Sequence, residues 1–272
     1  MGAIELLRKY TGHNYIVLCC RGNFSIMAAL KSVKKISLRN KILIPDQGGW
    51  LKFLDYPKKA GFEAEKVKTD YGVIDLNDLQ ERAKGAAALI YTQPAGYFAE
   101  QPIEDIYNAC NSNECLVIMD ASGSVGSELC DGNFADIIVG SFGKWKPVEL
   151  GYGGFISFKS EENFINSKNV LSELSFDEGR FDGLHEKLKN VKERYGLFYK
   201  LNKKIKKDLN RYKILHNDKK GINVAAAFDS DDEKRKIIDY CSANGYEYTL
   251  CPRYIRVERD AVSIEVKRIR GN

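Results

Sequence analysis

Asp120, Lys144 and Lys146 are the side chains whose types and spacing speak most directly of chemistry. Asp120 closes an apolar run, LVIM at 116–119, and the two lysines lie just past a second run, IIV at 137–139. Gly151, Gly153 and Gly154 follow before a third apolar segment. An unprotonated lysine amine attacks carbonyl carbon and forms a Schiff base. An aspartate buried at a strand end is costly unless a cation or donor meets it. The two functions together suit an aldehyde on a protonated heteroaromatic ring, with the lysine on its carbonyl carbon and the carboxylate on its ring nitrogen. Pyridoxal phosphate is such a ring, and it also requires a phosphate cradle.

The elements that must position these groups are legible as alternating apolar runs and helical stretches. YIVLCC at 15–20 reads as a buried strand, Arg21-Gly22-Asn23 as a turn, and residues 24–33 as a helix. A glycine turn leading into a helix N-terminus presents free N–H groups to an anion, which makes Gly22, Asn23 and Ser25 candidate phosphate ligands. The same turn also serves as an ordinary strand-to-helix connection. KILIP at 41–45 precedes Asp46-Gln47-Gly48-Gly49-Trp50, where Trp50 is placed either to cover a flat ring or to anchor a core. The strand ending at Tyr91 runs into a Thr92-Gln93-Pro94 loop, making Gln93 a further candidate. Strands and helices alternating every 20–30 residues predict a three-layer αβα fold with a mostly parallel sheet. Ligands in such sheets bind at the strand C-termini, and all of these residues fall there.

After residue 157 the pattern changes. Residues 184–212 carry apolar positions three and four apart and predict one long amphipathic helix, with KKIKK at 203–207 on its solvated face. A polar turn at 216–221 marks a boundary between a large domain, 1–215, and a small α/β domain, 216–272. The tail predicts a strand at 222–228, a helix at 233–243, a strand at 246–250, and a hairpin of 253–258 with 262–267. A net charge of +5 does not argue for nucleic acid, and no apolar run is long enough to cross a membrane. The N-terminus has no cleavable signal pattern, so the expected location is cytoplasmic. Seven irregularly spaced cysteines and three scattered histidines offer neither a disulfide framework nor a metal site.

The central stretch resembles the core of a fold type I pyridoxal-phosphate enzyme, and is most similar to the DegT-type sugar aminotransferase branch. In that branch a strand ends in Asp-Ala-Ala-Gln/His; here it reads Asp120-Ala121-Ser122-Gly123. Ser141-Phe142, then Lys146 five residues past the serine, then Gly151-Tyr152-Gly153-Gly154 keep the branch's spacing. Other branches use Ser-x-x-Lys, which Ser141 and Lys144 satisfy; the glycine spacing favours Lys146. The resemblance implies an aminotransferase acting on a small-molecule amino donor and acceptor through a lysine Schiff base. Lys146 or Lys144 would carry the cofactor and Asp120 would hold its ring nitrogen. Gly22, Asn23, Ser25, Ser122 and Ser141 would lie against it, with Trp50 and Gln93 over the ring. It implies a homodimer with the site at the interface. Arg253 and Arg256, in a C-terminal part shorter than usual, are the candidates for substrate carboxylate. Gly123 and the short C-terminal part depart from the pattern. They keep two rivals open: a lyase or desulfurase needing a reactive cysteine such as Cys130 or Cys251, and a catalytically reduced homologue serving as a binding subunit.

Overall fold

The computed structural model describes residues 2–269. Seven strands form the main sheet: β1 (Tyr15–Cys19), β2 (Lys41–Pro45), β3 (Glu63–Val67), β4 (Ala88–Thr92), β5 (Leu116–Asp120), β6 (Ile137–Ser141) and β7 (Gly154–Phe158). Their order across the sheet is β3-β2-β4-β5-β6-β7-β1. All neighbours are parallel except β7, which runs antiparallel to both β6 and β1. The C-terminal ends of the parallel strands and the N-terminal end of β7 therefore share one edge.

Alternate residues of the central strands feed two separate cores. Leu43, Leu89, Tyr91, Val117, Met119 and Ile138 face one side. Ile42, Ile44, Ile90, Ile118, Ile137 and Val139 face the other, against helix α2 (Gly22–Ile36). On the first side lie α1 (Ala3–Thr11), α3 (Leu76–Ala83), α4 (Ile103–Asn111), α5 (Phe181–Lys189) and α6 (Val191–Asp208). This is the three-layer αβα arrangement the alternation predicts: a strand buried on both faces reads as a continuous apolar run. α3 begins at a capped turn, where the Asp75 side chain accepts from the N–H groups of Asn77 and Asp78.

Two expectations change. Residues 184–212 are not one helix: α5 ends and α6 begins at Asn190, whose φ of −93° and ψ of 0° break the helical path. The Tyr10 hydroxyl donates to the Leu188 carbonyl at 3.0 Å, so α5 ends docked on α1. The tail hairpin also sits one strand earlier than expected. Its strands are β10 (Tyr248–Arg253) and β11 (Val257–Ile264), following β8 (Lys213–Ile214), β9 (Val224–Ala227) and helix α7 (Asp231–Ala243). The turn falls at Tyr254-Ile255-Arg256, because there Tyr254 finds a place on the main domain. These strands form an antiparallel sheet in the order β8-β9-β11-β10.

Candidate active site

Glycines at the shared edge let three elements meet almost backbone to backbone. A Cβ on Gly22 would lie 2.4 Å from Cβ of Ser141, and one on Gly154 would lie 2.5 Å from the Gly140 carbonyl and 2.8 Å from Gly22 Cα. Only glycine at 22 and 154 therefore lets the N-terminus of α2 sit against the ends of β6 and β7. That N-terminus has no side-chain cap among the described residues and no acid in its first turn. A 15-residue helix beginning without a cap at a strand edge is suited to an anion. Asn23 is half-buried there, and Ser25 is buried with its hydroxyl donating to the Gly22 carbonyl at 2.7 Å.

Asp120 ends β5 only 3% exposed. Its Oδ1 accepts from the Ser122 N–H at 3.0 Å, and Ser122 Oγ in turn accepts from the Ser141 N–H at 3.0 Å, tying the ends of β5 and β6 together. Burial pushes the Asp120 carboxyl upward; the bonds from Ser122 and the charge of Lys146 work against it. Beside it, Thr92 pairs with Asp120 across the sheet, and its buried hydroxyl has no partner among the described residues. A buried acid of this kind calls for a cationic ring nitrogen or a donor.

The two lysines part company. Lys146 turns inward, and its Nζ hydrogen-bonds the Tyr97 hydroxyl. Lys144 is exposed, with its Nζ 4.6 Å from the centre of the Trp145 ring. The loop carrying them is pinned by Glu149, which accepts from the Trp145 N–H at 2.8 Å and from Arg194 at 2.8 Å. Arg194 and the neighbouring Tyr195 both lie on α6. The Tyr195 hydroxyl donates to the Gly123 carbonyl at 2.9 Å, so one helix braces both the lysine loop and the aspartate loop.

The remaining sequence candidates occupy more structural positions. Gln93 is 1% exposed, and its Oε1 accepts from the Gln101 N–H at 2.9 Å, holding the loop after β4. Trp50 packs edge-on to Phe53 and Tyr56, at ring separations of 6.4 and 5.5 Å. Arg253 is exposed. Arg256 is 5% exposed and fully engaged: Nε and Nη2 donate to Glu265 at 2.8 and 2.9 Å, and Nη1 to the Ile255 carbonyl at 2.9 Å. Its guanidinium is spent on this chain's own carboxylate.

Three residues that matter here were not singled out by sequence. Tyr97, Glu265 and Lys267 form with Arg256 a buried cluster beside Lys146. Burial and Arg256 lower the Lys267 ammonium to about 7. Burial pushes Glu265 up, but Lys267 and Arg256 together outweigh it and hold the carboxyl well below its usual range. Glu265 and Lys267 alternate in the chain like ordinary strand charges, and nothing local marks them as buried. Tyr97 did carry a signal: it sits in a glycine-containing loop at a strand C-terminus. The tail reaches the site through its hairpin turn, since Gly48 N–H donates to the Tyr254 carbonyl at 2.7 Å and the Tyr254 hydroxyl to the Pro45 carbonyl at 2.8 Å.

Residues 5–203 match the sequence profile of the DegT/DnrJ/EryC1/StrS aminotransferase family. The chain belongs to that family. Residues 192–272 also match the MJ1341 family C-terminal domain, so the tail has relatives of its own. No curated protein matches by sequence. Among solved structures, a putative sugar aminotransferase, Spr1654 from Streptococcus pneumoniae in its PMP form, superposes with TM-score 0.71 at 12% identity, covering 97% of this chain and 86% of that one. The 3-amino-5-hydroxybenzoic acid synthase gives 0.73 at 11% identity, over 97% and 84%. A cysteine desulfurase from Thermococcus onnurineus NA1 gives 0.73 at 14%, over 96% and 77%. At such identities these structures speak for the fold. Family membership brings with it the family's cofactor, pyridoxal phosphate, and the buried Asp120 and uncapped α2 fit its two charged ends.

Proposed function

We propose that the protein is a pyridoxal-phosphate-dependent aminotransferase, with residues 1–215 as its cofactor-binding part and 216–272 as a small companion domain. The observation that carries this reading is the convergence of an inward Lys146, a buried Asp120 and an uncapped helix N-terminus on one sheet edge. When bound, the cofactor supplies an electron sink that stabilises negative charge at the substrate α-carbon. Lys146 holds the cofactor and afterwards offers its Nζ as the base and acid that move a proton. Asp120, held in place by Ser122, keeps a proton on the ring nitrogen. The first turn of α2, through Gly22, Asn23 and Ser25, binds phosphate with Ser141 beside it. Trp50 and Gln93 shape the walls, and Lys144 faces solvent. Arg253 is free to reach a substrate carboxylate, whereas Arg256 supports the site from behind. The desulfurase alternative receives no support from the thiols, because burial pushes Cys130 to about 12 and Cys251 to about 11.

We read the working form as a homodimer in the cytoplasm. Phe24, Leu51, Leu54 and Trp145 are large apolar side chains exposed around the site edge, and all seven cysteines are unpaired. No described helix is long and apolar enough to cross a membrane. The decisive experiment incubates the protein with pyridoxal phosphate, reduces with borohydride and maps the labelled peptide. Label on Lys146, lost in Lys146→Met and kept in Lys144→Met, is expected. Label on Lys144, or none on either, refutes the assignment. Conversion of the bound cofactor to its amine form by an amino donor then separates aminotransfer from lyase chemistry.

A further inference from the structure

Gly123 lies in the loop after Asp120, and the structure shows what fills the space beside it. A Cβ on Gly123 would stand 2.9 Å from Cδ1 and 3.0 Å from Cε1 of Tyr97. Tyr97 thus lies across the place that a side chain at 123 would take, and only glycine admits it. Its backbone is in the left-handed region at φ +71°, a conformation that a non-glycine residue adopts only when its surroundings impose it. The Tyr97 carbonyl accepts from the N–H groups of both Ile222 and Asn223, at 2.8 and 2.9 Å, so the tail domain imposes it. The ring is 4% exposed, and its hydroxyl is bonded to Lys146 Nζ. Three basic side chains surround it: Lys146, Lys267 and Arg256 lie 4.6, 4.7 and 5.0 Å from the ring centre.

We propose that Tyr97 is a further catalytic residue, whose hydroxyl exchanges protons with the Lys146 amine, and that Gly123 is glycine to leave room for its ring. The proposal rests on Lys146 being the reacting lysine. As Nζ bonds to a carbonyl carbon, the carbonyl π pair moves onto oxygen and the nitrogen must shed a proton. The phenol oxygen receives that proton while the phenol's own proton passes to the carbonyl oxygen, so nothing is oxidised or reduced. Positive charge around the ring stabilises the negative charge that builds on the phenol oxygen during the transfer. Arg256, fixed by Glu265, and Lys267 are positioning residues that hold this charge in place.

Competitive labelling of the cofactor-free full chain with acetic anhydride, read peptide by peptide, tests the pair directly. Tyr97→Phe keeps the ring and removes only the hydroxyl. It is expected to slow acetylation of Lys146 about 10-fold or more, as for loss of a proton-transfer partner, with Lys144 unchanged and the melting temperature retained. Gly123→Ala, which pushes the ring aside, should slow Lys146 similarly, and Tyr97→Phe/Gly123→Ala should be no slower than Tyr97→Phe alone. Equal Lys146 rates in wild type and Tyr97→Phe overturn the proposal. Capture of pyridoxal phosphate is scored separately. If wild type captures none on Lys146, the cofactor reading falls, while slowed acetylation in Tyr97→Phe still upholds the lysine–tyrosine pair.

Discussion

Replacing Glu265 with glutamine should be among the most destabilising single changes this chain can suffer. The carboxylate is 1% exposed and accepts from Arg256 at 2.8 and 2.9 Å, from Asn223 at 3.1 Å, from Ser263 at 3.2 Å, and from Lys267. Glu265→Gln keeps the volume but leaves a buried guanidinium facing a buried amine with no negative charge between them. Breaking a buried ion pair from one side costs about 3–5 kcal/mol. For a chain of this size each kcal/mol lowers the melting temperature by about 2–4 °C, so a fall of about 10 °C is expected. Lys267→Met should behave oppositely. It removes a buried cation whose ammonium burial already disfavours, leaves the Arg256–Glu265 pair intact, and should be neutral or mildly stabilising. The sign with pH follows. Because the folded lysine sits near 7, below its ordinary value, the unfolded chain binds more protons above that point. Wild-type stability from this group is therefore complete above the unfolded lysine value and is lost as pH falls toward 7, and Lys267→Met should remove that slope. Urea unfolding at pH 7 and pH 9 reads both quantities. A Glu265→Gln loss below about 1 kcal/mol, the value of an exposed pair, would refute the buried-charge reasoning.

Three further outcomes are expected. His13 is buried, with Nδ1 3.0 Å from Ser157 Oγ and Nε2 3.1 Å from the carbonyls of Gly132 and Ala135; burial lowers its imidazole despite those carbonyl bonds. Its folded value lies below the unfolded one, so stability is full above about 6.5 and falls as pH drops through it; the stability difference between wild type and His13→Gln should shrink over that range in thermal melts. Gly22→Ala forces a Cβ into Ser141 and should cost about 1–3 kcal/mol in urea unfolding while weakening phosphate binding measured by calorimetry. Asp75→Ala, which strips the α3 cap, should cost about 1 kcal/mol and leave phosphate binding unchanged.

How far the chain could be read depended on whether a signal was local. Strand positions were legible because β2, β4, β5 and β6 are buried on both faces and read as plain apolar runs. Asp120 and the pair Lys144 and Lys146 were legible as candidates because their spacing to Ser141 and to the glycines is fixed along one continuous backbone path. Which lysine turns inward was not, since Lys144 and Lys146 differ only in direction across a loop shaped by Glu149 and Arg194, 45 residues apart. Asn190 gives no sign in the hydrophobic pattern that α5 and α6 part there, because both helices keep the same apolar stripe. The hairpin was misplaced for a related reason: alternating residues run on through 253–258, and it is the docking of Tyr254 on Pro45 that stops the strand.

By itself, the sequence determined the αβα sheet and the sheet edge at which a candidate aspartate, two candidate lysines and a helix N-terminus fall, because each depends on periodicity or on short spacing. Only the tertiary structure decided what surrounds them. Arg256 looked like a free carboxylate ligand until Glu265 closed on it, and Gly123 looked like a loss until Tyr97 was found lying in its place. Those pairings join residues that are far apart or unremarkable in the chain, and their energies come from burial, which no local pattern records.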